Sequence, residues 1–184
     1  MVEERDLAPG EWAVLALLCE RPAHGWAIGR QLGASGELGS IWSLSRALVY
    51  RSLEILEARQ LIVPAGREPG ARGPNRTIFR ATPAGHAAVA QWLQEPVEHV
   101  REGRSVLLLK LVFAQRTCID PRPMLHAQLD SLRESIDALE ARLGGSNGTD
   151  AILVRFRLES SRAVERFVVG VLDELEPPLR AASG

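Results

Sequence analysis

Arg46, Tyr50 and Arg51 lie close together in the stretch WSLSRALVYRSLEILEARQLI. A guanidinium carries five N–H donors in a rigid fork that matches two phosphate oxygens or the acceptor edge of a guanine. A phenol adds one hydroxyl and an aromatic face. The same residue types return in GARGPNRTIFR as Arg72, Asn75 and Arg76. This is chemistry for gripping anions and base edges. Residues for making and breaking bonds are harder to find. GGSNG, residues 144–148, fits a Gly-x-Ser-x-Gly pattern. That motif needs a strand before its serine, whereas a Leu-rich helix precedes this one, so it reads as a linker. His24, His86, His99 and His126 have neither the i, i+4 spacing nor the cysteine neighbours of a metal site. The glycines from Gly70 to Gly73 open no helix and form no phosphate loop. No acid, base and nucleophile converge, so the chain is expected not to be an enzyme and to need no cofactor or metal.

Charge is distributed unevenly along the 184 residues. The net charge is −1, yet Trp42 to Arg80 holds seven arginines against three glutamates, a local excess of +4. A basic segment in a neutral chain is the footprint of a groove-binding face. Lys110 is the only lysine. That preference for arginine suits bidentate contacts, and a GC-rich genome would produce it equally well. Cys19 and Cys118 each sit in an apolar run and read as buried free thiols, since two distant cysteines make no disulfide framework. MVEERDLAPG is acidic with no apolar core, so no signal peptide is expected there. Val106 to Ala114 is too short to cross a bilayer. A cytoplasmic protein without a membrane partner is the expectation.

The elements that must hold these residues follow from spacing. PGEWAVLALLCE reads as a helix with Pro in its first turn, and HGWAIGRQLG as a second, shorter one. GASGELGS reads as a flexible loop. Ser45 then caps a helix that buries Val49, Leu53 and Leu56, flanked by Leu48 and Ile55. Arg46, Ala47, Tyr50, Arg51 and Glu54 are left on its far side. Leu61–Val63 and TIFRAT read as two short strands joined by the Gly/Pro turn EPGARGPN, a hairpin. Thr82 caps a further helix that runs through Trp92 and Leu93. Residues 95–104, with Pro96 and mixed charge, read as a boundary. Beyond it come SVLLLKLVFAQ and a helix started by Asp120 and Pro121. This second helix carries Leu125, Leu129, Leu132, Ile136, Leu139 and Leu143 at coiled-coil spacing. A last helix, capped by Asp150, has a stripe of Leu153, Phe156, Val164, Phe167, Val171 and Leu175. The two long helices suggest an antiparallel pair.

Three helices and a basic hairpin make a winged helix-turn-helix, and here the residues resemble the PadR family of bacterial transcriptional regulators. The likeness lies in HGWAIGRQL, SLSRALVYRSLEILEARQLI, the wing GARGPNRTIFRATPAG and its Thr-x-x-Gly exit, over roughly residues 9–94. The second half resembles the longer C-terminal domain of a branch related to virulence-gene activators. The fold this implies is mainly α, an α+β winged helix. A DNA-binding domain over residues 1–94 would precede an all-helical dimerisation domain over 95–184. The resemblance implies double-stranded operator DNA as partner, with the helix at about 45–58 in the major groove and the wing at about 61–82 on the backbone or minor groove. Ser45, Arg46, Ala47, Tyr50, Arg51, Arg72, Asn75 and Arg76 would form the DNA-binding set. The wing lacks the family's usual lysine and aromatic residues, which points its arginines to phosphate.

A helix reads only a few base pairs, so a homodimer on an inverted repeat is expected, acting as a repressor. Leu125, Leu129, Leu132, Ile136, Leu139, Phe156, Phe167 and Val171 are the expected dimer surface. The same stripes could instead pack on each other within one subunit. Trp92 ends the helix between the two halves, where a dimer can leave a cavity. The family's responses imply a small hydrophobic or aromatic effector there. Trp92 also reads as a core or interface anchor. An interaction adaptor on a winged-helix scaffold, without specific DNA binding, is the alternative from another class.

Overall fold

The computed structural model describes residues 7–70 and 73–175. They fall into two compact units. The first takes the described residues up to Leu93 together with Arg104–Ile119, and the second takes Gln94–Gly103 and the described residues from Asp120 onward.

In the first unit the order is α1 (Pro9–Glu20), β1 (Ala23–His24), α2 (Gly25–Leu32), α3 (Arg46–Ala58), β2 (Ile62–Gly70), β3 (Gly73–Ala81), α4 (Pro83–Trp92) and α5 (Val106–Thr117). This is the winged helix the sequence led us to expect. Helix α1 is its hub. Every residue from Ala13 to Leu18 is buried, because α3, α4, α5 and β3 all pack around it. Leu32, Leu53, Leu56 and Ile62 fill the space beside it. The segment between α2 and α3 is wound around the buried Leu38, whose N–H reaches the Gln31 carbonyl. Leu44 N–H then bonds the Leu32 carbonyl at 2.7 Å and sets the start of α3. The expectation of a flexible loop overlooked this apolar anchor.

The strands are longer than expected. β2 and β3 are nine residues each, and β1, unforeseen, pairs with β3 through Ala23 opposite Phe79 and His24 opposite Ile78. The sheet order β1-β3-β2 leaves β2 at an edge, where Pro64 costs no central ladder bond. Register shifts at Pro64/Gly66 and Glu68/Gly70 absorb the turn-like residues of GREPG. An arm with exposed residues from Pro64 to Pro69 carries no alternating apolar signal, which is why spacing alone stopped at Val63.

Two junctions tie this unit together. Helix α3 ends in a Schellman turn, with Leu61 N–H on the Leu56 carbonyl, Gln60 N–H on the Glu57 carbonyl and Gln60 left-handed at φ 58°. The Thr82 hydroxyl donates to the Gln60 carbonyl at 2.9 Å and accepts the Gly85 N–H at 3.1 Å. A Cβ on Gly85 would stand 2.2 Å from the Leu61 carbonyl oxygen. The Thr-x-x-Gly exit is therefore a joint between α3, the wing and α4.

Helix α5 lies in the first unit, where a single division after residue 94 would have placed it in the second. Leu107, Leu109 and Phe113 are fully buried, and the buried Lys110 ammonium donates to the Trp92 carbonyl at 2.5 Å. Arg116 pairs with Glu20 at 3.0 Å. Burial pushes the Glu20 carboxyl above its usual range, and the Arg116 charge opposes the shift. Cys19 is half-buried, and burial pushes its thiol up to about 11, helped by the Glu20 charge. Cys118 corrects the expectation of two buried thiols. It is exposed, because it takes the left-handed position at φ 56° that ends α5.

The second unit is built on α6 (Arg122–Leu143) and α7 (Gly148–Leu175). They run antiparallel, with ion pairs Arg162–Glu140 at 2.6 Å and Arg133–Glu165 at 3.6 Å between them. The buried Gln128 amide holds the preceding segment, accepting from Val97 N–H at 2.7 Å and donating to its carbonyl at 3.2 Å. Asp150 lies inside the first turn of α7 and does not cap it from outside. The Ser146 hydroxyl, followed by Arg142, holds its carboxyl below the usual aspartate range.

The inner face of α7 also differs from expectation. Val154, Leu158, Ser161, Val168 and Leu172 are buried, whereas Leu153, Phe156, Phe167 and Leu175 are exposed. This helix carries apolar residues on two opposite faces, and spacing could not tell which turns inward. Among the described residues no helix is long and apolar enough to cross a membrane.

Candidate nucleic-acid interface

The first unit presents one side of α3. Val49, Ser52, Leu53 and Leu56 are buried, so the helix is held by that stripe and its other residues project outward. Ser45 closes its start, its Oγ accepting the Leu48 N–H at 3.3 Å. Arg46, Ala47, Leu48, Tyr50 and Arg51 are all exposed. The Tyr50 ring lies across Gly25, where an added Cβ would come within 2.9 Å of the ring. Only glycine at the start of α2 lets the phenol settle there.

A cleft of about 430 Å³ opens between α3 and the wing. It brings together Arg46 and Tyr50 from α3 with Asn75 and Arg76 from β3. Glu54 and Glu57, further along α3, line its far part. Ser45, Ala47 and Arg51 do not line it, so the cleft gathers only part of the expected set. Arg72 lies outside the described residues. Leu48, expected only to flank the core, is 46% exposed beside this surface.

Among the described residues, Arg155, Arg157 and Arg166 of the second unit make no ion pair, whereas other arginines there do. Arg133, Arg142 and Arg162 are all tied to carboxylates. Among the described residues, no ion pair involves Arg46, Arg51 or Arg76. Arg76 instead lies over the Trp26 ring, 4.9 Å from its centre. Trp26 and His24 also line the cleft, and reading the sequence missed both. The i, i+4 spacing of Trp26 and Arg30 was the signal available for the first.

The other expected site residues are placed differently. Leu125, Leu129, Leu132 and Ile136 are buried within the single chain, and Leu139 is half-buried. That is the packing within one subunit that the sequence left as the alternative. Phe156 and Phe167 are 72% and 40% exposed, and Val171 is half-buried. Trp92 is buried, stacked on Trp12 with ring centres 5.1 Å apart, and the Lys110 ammonium lies over its ring at 5.1 Å. It has the surroundings of a core anchor.

Comparison with known proteins places this unit. The family model described as "Transcriptional regulator PadR-like family" matches residues 14–91. Residues 14–91 are a PadR-like domain. The PadR-like domain contains α2, α3 and the whole wing. A probable transcriptional regulator of Mycobacterium tuberculosis, Rv1176c, is 27% identical over 96 residues, 52% of this chain and 49% of that protein. The chain thus matches about half the length of that curated relative. Two solved structures are also similar. Bacillus subtilis PadR in complex with operator DNA has a TM-score of 0.45 and 16% identity, over 92% of this chain and 99% of that one. The PadR-like regulator BC1756 of Bacillus cereus has a TM-score of 0.39 and 21% identity, over 95% and 99%.

Proposed function

We propose that this chain is a DNA-binding transcriptional regulator that acts in the cytoplasm as a homodimeric repressor on an inverted-repeat operator. The observation that carries this reading is that Arg46, Arg51 and Arg76, on α3 and the wing of the PadR-like domain, make no ion pair among the described residues, with Arg46 and Arg76 lining one cleft. Helix α3 enters the major groove with its first turns, where Arg46 and Arg51 meet guanine edges or phosphates. Tyr50 gives its hydroxyl to a phosphate, and the exposed Leu48 suits a thymine methyl. Asn75 and Arg76, together with Arg72, meet the backbone or the minor groove. Glu54 and Glu57 stand further along the helix, where it leaves the groove.

The dimer in this reading uses the outer face of α7, with Phe156, Phe167 and Val171, while Leu125, Leu129, Leu132, Ile136 and Leu139 support it from inside. Release follows binding of a small hydrophobic or aromatic effector that favours the DNA-incompetent dimer. Trp92 can meet such a ligand only if its stack with Trp12 opens. The test is selection of genomic fragments on the purified protein, followed by sequencing. The expected result is a shared inverted repeat with half-sites about one turn, ~34 Å, apart. Retained fragments no more alike than the input would favour an interaction adaptor on the same scaffold.

A further inference from the structure

Two cations share a single aromatic ring beside the cleft. The guanidinium carbon of Arg30 lies 5.1 Å from the centre of the Trp26 indole, and that of Arg76 lies 4.9 Å from it. Arg30 follows Trp26 by one helical turn on α2, and Arg76 comes from β3, which the β1 ladder holds against the start of α2. Neither arginine has an ion pair among the described residues. A carboxylate is within reach: Glu68 sits directly across the ladder from Arg76. It turns instead to His24, whose Nε2 lies 3.4 Å from its Oε2. The Nδ1 of the same imidazole accepts the Ala27 N–H, which fixes the ring. The indole thus holds two guanidinium groups that make no ion pair among the described residues, beside a cleft that also holds Arg46.

We propose that Arg30 and Arg76, stacked on Trp26, form a seat for a backbone phosphodiester of duplex DNA, with Trp26 as its positioning residue. A phosphate between two guanidinium forks receives several N–H donors and supplies the missing negative charge. The ring sets the forks before binding, so less side-chain freedom is lost on contact. This rests on the DNA-binding reading above and extends it to α2, which that reading left unused.

The test is the salt dependence of binding to a duplex of random sequence, with thermal unfolding recorded for each variant. Each phosphate neutralised contributes about 0.9 to the slope of log affinity against log salt. Arg30→Ala changes an exposed residue and is expected to lower the slope by about 0.9 per subunit. Trp26→Ala should weaken binding severalfold with both arginines still in place, and Trp26→Phe should restore most of the loss. The seat is overturned if Arg30→Ala keeps the full slope while Arg46→Ala lowers it. It is overturned equally if Trp26→Phe binds no better than Trp26→Ala at the same folded fraction. A wild-type protein with no salt-dependent binding would instead remove the DNA reading itself.

Discussion

Arg46 and Arg51 are the residues on which sequence specificity should turn. Both are exposed on a helix whose opposite stripe is buried, so truncating either changes little of the fold, within about 0.5 kcal/mol. A lost bidentate base contact costs about 1–3 kcal/mol of discrimination. Arg46→Ala and Arg51→Ala should therefore each cut the preference for the selected fragment over random DNA by about fivefold or more, as read in competition binding. An unchanged preference would limit these side chains to phosphate. At this scale the sequence was legible on α3, because a 3.6-residue period separates inner from outer residues without knowledge of the neighbours. It was not legible for Trp26 or His24. Their roles depend on β1 meeting β3, a pairing between residues more than fifty positions apart.

At the scale of elements, the joint at Thr82 and Gly85 couples α3 to the wing. Gly85→Ala sets two effects against each other. Alanine favours a helix over glycine by about 0.5–1 kcal/mol. The new methyl, however, would sit 2.2 Å from the Leu61 carbonyl oxygen, a backbone atom that cannot swing aside. Overpacking of this kind costs about 1–3 kcal/mol, so the steric effect wins and urea denaturation should show a net loss. A midpoint at or above wild type would mean that α4 can slide. Apart from β1, the order of helices and strands was readable from caps, Pro positions and turn residues. The wing's length was not, because its arm is exposed and carries no alternation. The inner face of α7 was not either, since Phe156 and Leu158 look equally apolar in a list of residues yet lie on nearly opposite sides of the helix.

In the proposed dimer the α3 helices are offered in pairs. Phe156 and Phe167 on α7 are exposed and form the surface proposed for that association, whereas Leu125, Leu129, Leu132 and Ile136 are buried inside the chain. The double variant Phe156→Glu, Phe167→Glu should sediment as a 20.1 kDa particle at micromolar concentration and the wild type at twice that mass. A monomeric wild type would contradict the proposed dimer. Which of the two apolar stripes faced outward was hidden in the sequence, because either could close the α6–α7 pair. The central claim, a cationic face built by α3 and the wing for duplex DNA, is tested most directly by titrating salt against binding of the wild-type protein. A selected genomic fragment and random DNA would be measured side by side. The account predicts a steep fall of log affinity with log salt on both, and a preference for the selected fragment of at least about a thousandfold at physiological salt. A flat response to salt, with the two DNAs bound alike, would contradict it.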